Sequence, residues 1–113
     1  MSNLINITNQ FYTAFNTHDI EQVKPFLHAD VTFDDWNVND SGKDEVCDSF
    51  INHFNMFPGI KGNVTSLTVD EEKAEVTAEV DTFLDNDRTI KVRNVISFEG
   101  TLIKAISAVK IEE

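Results

Sequence analysis

Leu4, Ile7, Phe11, Ala14 and Phe15 recur at helical spacing and predict an amphipathic helix from about Asn3 to Asn16. Ile20, Val23, Phe26 and Leu27 repeat the pattern over a shorter stretch. Asp19, with Gln22 three residues on, starts that helix as a capping box does, and Pro25 should kink or weaken it. "VTFDDW" (31–36) alternates as a short strand, and "NVNDSG" after it reads as a loop. "SGKDEVCDSFINHFNMF" returns to the helical period, with Val46, Phe50, Ile51 and Phe54 on one face. Asp44, Glu45 and Asp48 lie near its start, where the helix dipole favours anions. Beyond "PGIKG" the period drops to two. "NVTSLTV", "KAEVTAEVDTFL", "RTIKVRNVISF" and "LIKAISAVKI" are four strands joined by "DEE", "DNDR" and "EGT". Connections this short make antiparallel neighbours. The order helix, helix, strand, helix, meander predicts an α+β fold, with residues 1–113 forming a single domain.

Composition sharpens the picture at three points. Nine Phe against one Tyr and one Trp predict an aromatic core nearly without hydroxyls. A net charge of −11 argues against nucleic acid and anionic membrane surfaces as partners, since both want a basic patch. The single cysteine, Cys47, permits no intrachain disulfide. The opening "MSNLINITNQFYTAF" lacks the basic and apolar regions of a signal peptide, and no apolar run approaches a membrane span. The simplest expectation is a cytoplasmic protein.

Three stretches, "FYTAFNTHDIEQVKPFLHADVTFDD", "SGKDEVCDSFINHF" with "FPG" after it, and "VRNVISFEGTLIKAI", together carry a resemblance. With this order of elements, the chain resembles the SnoaL-like and ketosteroid-isomerase-like proteins of the nuclear transport factor 2-like superfamily. The resemblance implies a cone-shaped, curved antiparallel sheet wrapped around three N-terminal helices, with a pocket in its mouth. It also implies a homodimer packed through the outer face of the sheet. Functions in the superfamily range from isomerases, dehydratases and cyclases to binding modules, so fold does not settle function.

The adjacent aspartates separate by parity. Val31, Phe33 and Asp35 share one face of the strand, and Thr32, Asp34 and Trp36 the other. Asp35 therefore belongs with the core and Asp34 with solvent. Trp36 would cover the pocket mouth or enter a dimer interface. A carboxylate beside Phe side chains is partly stripped of water, a setting in which Asp serves as a general base. The alternative is a carboxylate that bonds backbone amides of "NVNDSG". The resemblance favours the base, which in ketosteroid-isomerase-like proteins is an Asp at the end of this strand.

An enolate formed by such a base needs donors at its oxygen. The resemblance puts the donor tyrosine position at Phe11, a supporting tyrosine at Phe50 and a protonated acid at Asn94, so two hydroxyls are missing. Tyr12, about 100° around the helix from Phe11, is not expected to replace them. Asn94 shares the inner face of Ile90, Val92, Ile96 and Phe98; its amide can donate to a ligand or to a neighbouring backbone group. His53 either borders the pocket as a proton relay or is a partly exposed helix residue. His18 and His28 read as turn and cap residues. Cys47 reads as packing, and no spacing suggests a metal or cofactor site. Parity assigns Ile103, Ala105, Ser107, Val109 and Ile111 to the inner face, where small residues leave room for a ligand or fit around Phe rings.

The expected catalytic set is thus Asp35, Asn94 and His53, with Phe11, Phe33, Trp36, Phe50, Phe98, Ala105 and Ser107 lining a pocket for a small apolar molecule. An isomerase, cyclase or lyase is one reading. A non-catalytic dimeric binding or interaction module is the other, and Glu75, Thr77, Glu79, Asp81, Lys91 and Arg93 make the outer sheet face of such a module polar.

Overall fold

The computed structural model describes residues 3–85 and 88–112. α1 spans Asn3–Asn16 and α2 only Ile20–Val23, because Pro25 turns the next residues, Lys24–Phe26, into a single 3-10 turn. Asp19 caps α2 by accepting the Glu21 N–H at 3.0 Å. β1 (Leu27–Asp34) follows, then β2 (Asn39–Ser41), α3 (Lys43–Met56), β3 (Lys61–Asp70), β4 (Glu75–Asp85), β5 (Arg88–Glu99) and β6 (Leu102–Glu112). The β4–β5 connection read from "DNDR" has its tip, residues 86 and 87, outside the described residues.

The fold is α+β, with a curved, open sheet in the order β2-β1-β6-β5-β4-β3. β3 to β6 form the expected antiparallel meander. Three local expectations change. β1 begins at Leu27, so His28 is a strand residue, with Nε2 2.7 Å from Glu99. Part of "NVNDSG" is β2, an antiparallel partner of β1. On α3, Cys47 rather than Ile51 joins Val46, Phe50 and Phe54 in the core. The sheet is also mixed rather than wholly antiparallel. β1 reaches β6 only after the chain has crossed α3 and four strands, and it lies parallel to β6. A long connection permits that orientation, which a hairpin forbids.

A bulge at Lys104 alters β6 more consequentially. Phe98 pairs with Ile103, but the next pair is Ser97 with Ala105. The extra residue flips the alternation beyond it. Ile103, Ile106 and Ala108 face inward, while Ala105 and Ser107 pair with the outward Ser97 and Val95, and Val109 is 54% exposed. On the outer face, Glu79 lies opposite Arg93 and Asp81 opposite Lys91, with ion pairs of 2.9 and 3.0 Å.

α1 packs on β3 and β4, and α3 on β1 and β2. The C-terminal end of α1 is tied down by Asn16. Its amide donates to the Gly62 carbonyl at 2.9 Å and accepts the Gly62 N–H at 2.8 Å. His18 follows at φ 61°, stacked on Phe54. No described helix is long and apolar enough to cross a membrane.

Candidate functional site

The two helices seated on opposite halves of the sheet leave between them a cavity of about 390 Å³, within the range of small-molecule sites. Phe rings wall it. Phe33 and Phe50 meet at 5.3 Å between centroids, and Phe50 and Phe11 at 6.3 Å. Val80, Thr82 and Leu84 of β4, Ile90 and Val92 of β5, and Ile106 and Ala108 of β6 complete the sheet side. Phe98 is buried elsewhere. Its backbone N–H donates to Ala74 at the β3–β4 turn, away from the cavity. Ala105 and Ser107 are absent from the lining because the bulge turns them outward.

Tyr12 supplies the hydroxyl that spacing did not predict. The buried face of α1 is wide, and its neighbouring residues divide the work. Phe11 meets Phe26 and Phe50 in the helical layer, while Tyr12 lies against Gly62 and reaches the sheet. The Asn94 amide donates to the Tyr12 hydroxyl oxygen at 2.6 Å, and both residues line the cavity. Burial pushes the phenol pKa well above its ordinary value of 10.0, against a smaller lowering by the Asn94 bond. A signal was present in the sequence. Thr8, Tyr12 and Asn16 recur every four residues, a polar line within the amphipathic helix that reaches the sheet at Tyr12 and Asn16.

Asp35 stands just beyond the last residue of β1 and lines the cavity. Its Oδ1 accepts the N–H of Asn37 at 2.6 Å and of Val38 at 2.8 Å, and its own N–H donates to the Val38 carbonyl at 2.9 Å. The backbone turns here, so strand alternation stops and Trp36 also borders the cavity, 44% exposed. Asp34, paired with both Asn39 and Ser107, is half-buried rather than fully solvated.

His53 borders the cavity from α3, edge-on to Phe33. Burial lowers its pKa from 6.5, and the negative charges of Asp35 and Asp40 partly offset this. Ser49, one turn earlier, also lines the cavity and donates to Asp40. Asp35, Asn94, His53, Phe11, Phe33, Trp36 and Phe50 therefore meet at one cavity. Spacing missed Tyr12, Ser49, Arg88 and Lys110. Lys110 lies inward through the Lys104 bulge, its Nζ 5.5 Å from the centre of the Trp36 ring. Among the described residues, no three His, Cys, Asp or Glu side chains cluster as metal ligands.

No curated protein matches the sequence. Solved structures match its fold at low identity. An NTF2-like protein of unknown function from Cytophaga hutchinsonii superposes with a TM-score of 0.82 at 17% identity, covering 98% of this chain and 92% of that one. A protein from Agrobacterium tumefaciens, provisionally named an isomerase of the SnoaL-like family, gives 0.83 at 14% identity, with 98% and 99% covered. A provisionally named ketosteroid isomerase from Kribbella flavida gives 0.81 at 14%, with 96% and 77% covered. The model of the SnoaL-like domain matches residues 8–105, which run from the buried Thr8 of α1 into β6. That match takes in α3 and most of α1, which wall the cavity, and five of the six strands in full, and by it the chain belongs to the SnoaL-like domain family.

Proposed function

We propose that the cavity binds a small apolar carbonyl compound and that Asp35 removes a proton beside the carbonyl, in an isomerase, cyclase or lyase reaction. One observation carries this reading: the Asp35 carboxylate and the Tyr12–Asn94 pair line the same apolar cavity. Because Tyr12 accepts from Asn94, its own O–H is the proton it has to offer a ligand oxygen. The raised phenol pKa keeps that proton on the ring at neutral pH. A donor already held in place stabilises a developing enolate oxygen without reorganising. Both backbone amides bind Asp35 Oδ1, so Oδ2 is the atom assigned to accept the proton. His53, held neutral by burial, would pass the proton onward.

The test is hydrogen–deuterium exchange at the α-carbon of apolar ketones in D₂O, followed by NMR, on ketones first selected by thermal shift. The protein should accelerate exchange, and Asp35→Asn should remove about 100-fold or more of the acceleration. Bound ketones that exchange no faster than in buffer would overturn the catalytic role.

A second reading is a non-catalytic binding module. The bonds from Asn37 and Val38 favour it, since they give Asp35 a structural task in closing the turn. It predicts ketone binding without exchange. A homodimer through the outer sheet face fits either reading and is checked by light scattering.

A further inference from the structure

Two cationic side chains border the cavity of a strongly acidic chain. The chain has 20 acidic side chains against nine Lys and Arg. Among the described residues that line the cavity the charged side chains are Arg88, Lys110 and Asp35. The two cations stand at one end of the sheet, Arg88 at the start of β5 and Lys110 near the end of β6. Both are exposed, as is Trp36 beneath Lys110, whereas Phe11, Tyr12, Phe50 and Val80 are buried. The cavity is therefore graded, with Arg88 and Lys110 among its exposed lining residues and apolar side chains within, and with the Tyr12–Asn94 donor pair on the inner wall. Lys110 owes its place to the bulge: uninterrupted alternation from Ile103 would turn it to the outer surface.

A chain of net charge −11 repels anions at long range. An anionic ligand would need local cations to overcome that field, whereas a neutral one would gain nothing from them. We propose that the ligand is an apolar carbonyl compound bearing one carboxylate, its carbonyl at Tyr12 and Asn94 and its carboxylate at Lys110 and Arg88. This rests on the reading of the cavity as a ligand site. Lys110 pairs with Val92, two residues along β5 from Asn94. Two residues of strand set the backbone positions about 7 Å apart, on the order of the length of a naphthalene ring.

The test compares 2-acetylnaphthalene with 6-acetyl-2-naphthoate by isothermal titration calorimetry. The naphthoate should bind about fivefold more tightly, the scale of an exposed ion pair, and the preference should shrink in high salt. Lys110→Gln should abolish most of the preference. Lys104→Gln makes the same change in net charge outside the cavity and should preserve it. Equal affinities, weaker binding of the naphthoate, or a preference that survives both Lys110→Gln and Arg88→Gln would overturn the anionic ligand and leave the cavity a site for neutral ketones. Failure of both probes to bind would overturn the ligand-site reading and the inference with it.

Discussion

Tyr12→Phe deletes one oxygen and no ring volume, so it isolates the bond to Asn94 from the packing around it. Leaving a buried amide donor unpaired costs about 1–3 kcal/mol. Asn94 is half-buried and borders a cavity large enough for water, so the lower end, about 1 kcal/mol, is expected. For 113 residues the entropy of unfolding is roughly 0.24 kcal/mol/K, which converts that cost to a fall of about 4 °C in Tm. Asn94→Leu should cost at least as much, because it strands the hydroxyl of a residue only 7% exposed. The double variant should be less destabilised than the sum of the singles by about 1 kcal/mol, since it removes both partners. Differential scanning calorimetry of the four proteins measures all three quantities. Additive costs, or a Tyr12→Phe Tm equal to that of the parent, would refute the bond as a working contact.

The same side chain predicts behaviour in alkali. Tyr12 is the chain's one tyrosine, so phenolate absorbance reports it alone. Its folded pKa is raised above the unfolded value of 10.0, so the stability it contributes is complete below pH 10 and is lost as pH rises through the folded value. Phenolate should appear with unfolding rather than before it. Titration at the ordinary value, with native circular dichroism retained, would show that the phenol is not buried.

His53 has the opposite shift. Its folded pKa lies below 6.5, so its contribution is complete above pH 6.5 and is lost as pH falls from there through the folded value; denaturant unfolding should show His53→Gln to be less pH-dependent than the parent in that window. Gly62→Ala would place a Cβ 3.1 Å from Val80 Cγ1 and 3.4 Å from Tyr12 Cδ1, and should cost about 1–2 kcal/mol while weakening ketone binding through displacement of the Tyr12 ring; an unchanged Tm would show that the wall yields freely.

The change of period from 3.6 to 2 near residue 60 was enough to order the helices and the meander, because each long element repeats its apolar face several times. β2 escaped notice because it is three polar residues, stabilised by β1 rather than by its own composition. The β6 bulge escaped for a different reason. "LIKAISAVKI" offers an acceptable apolar face in either parity, so nothing in it opposes a slip after Ile103. Asp35 could be read because Val31 and Phe33 fix the parity just before it. Tyr12 could not, because one period describes a helix that packs one way, and α1 has helices on one flank and the sheet on the other.

Asp35 serves the turn and lines the cavity with one carboxylate, and the geometry separates the two tasks by atom. Oδ1 holds the Asn37 and Val38 amides, so the group's orientation toward the cavity is set by the bonds that close the turn. Asparagine at this position keeps an Oδ1 acceptor and exchanges only Oδ2 for an amide nitrogen. Asp35→Asn should therefore retain the turn with a loss below about 1 kcal/mol, while Asp35→Ala leaves two amides without their acceptor and should lose about 1–2 kcal/mol. If proton exchange disappears in both variants while Tm falls mainly in the alanine variant, the base is distinct from the turn acceptor, and folding has aimed it. If exchange in each variant merely follows its Tm, or if no exchange exists to be lost, the carboxylate is there for the turn, and the binding-module reading is the one that survives.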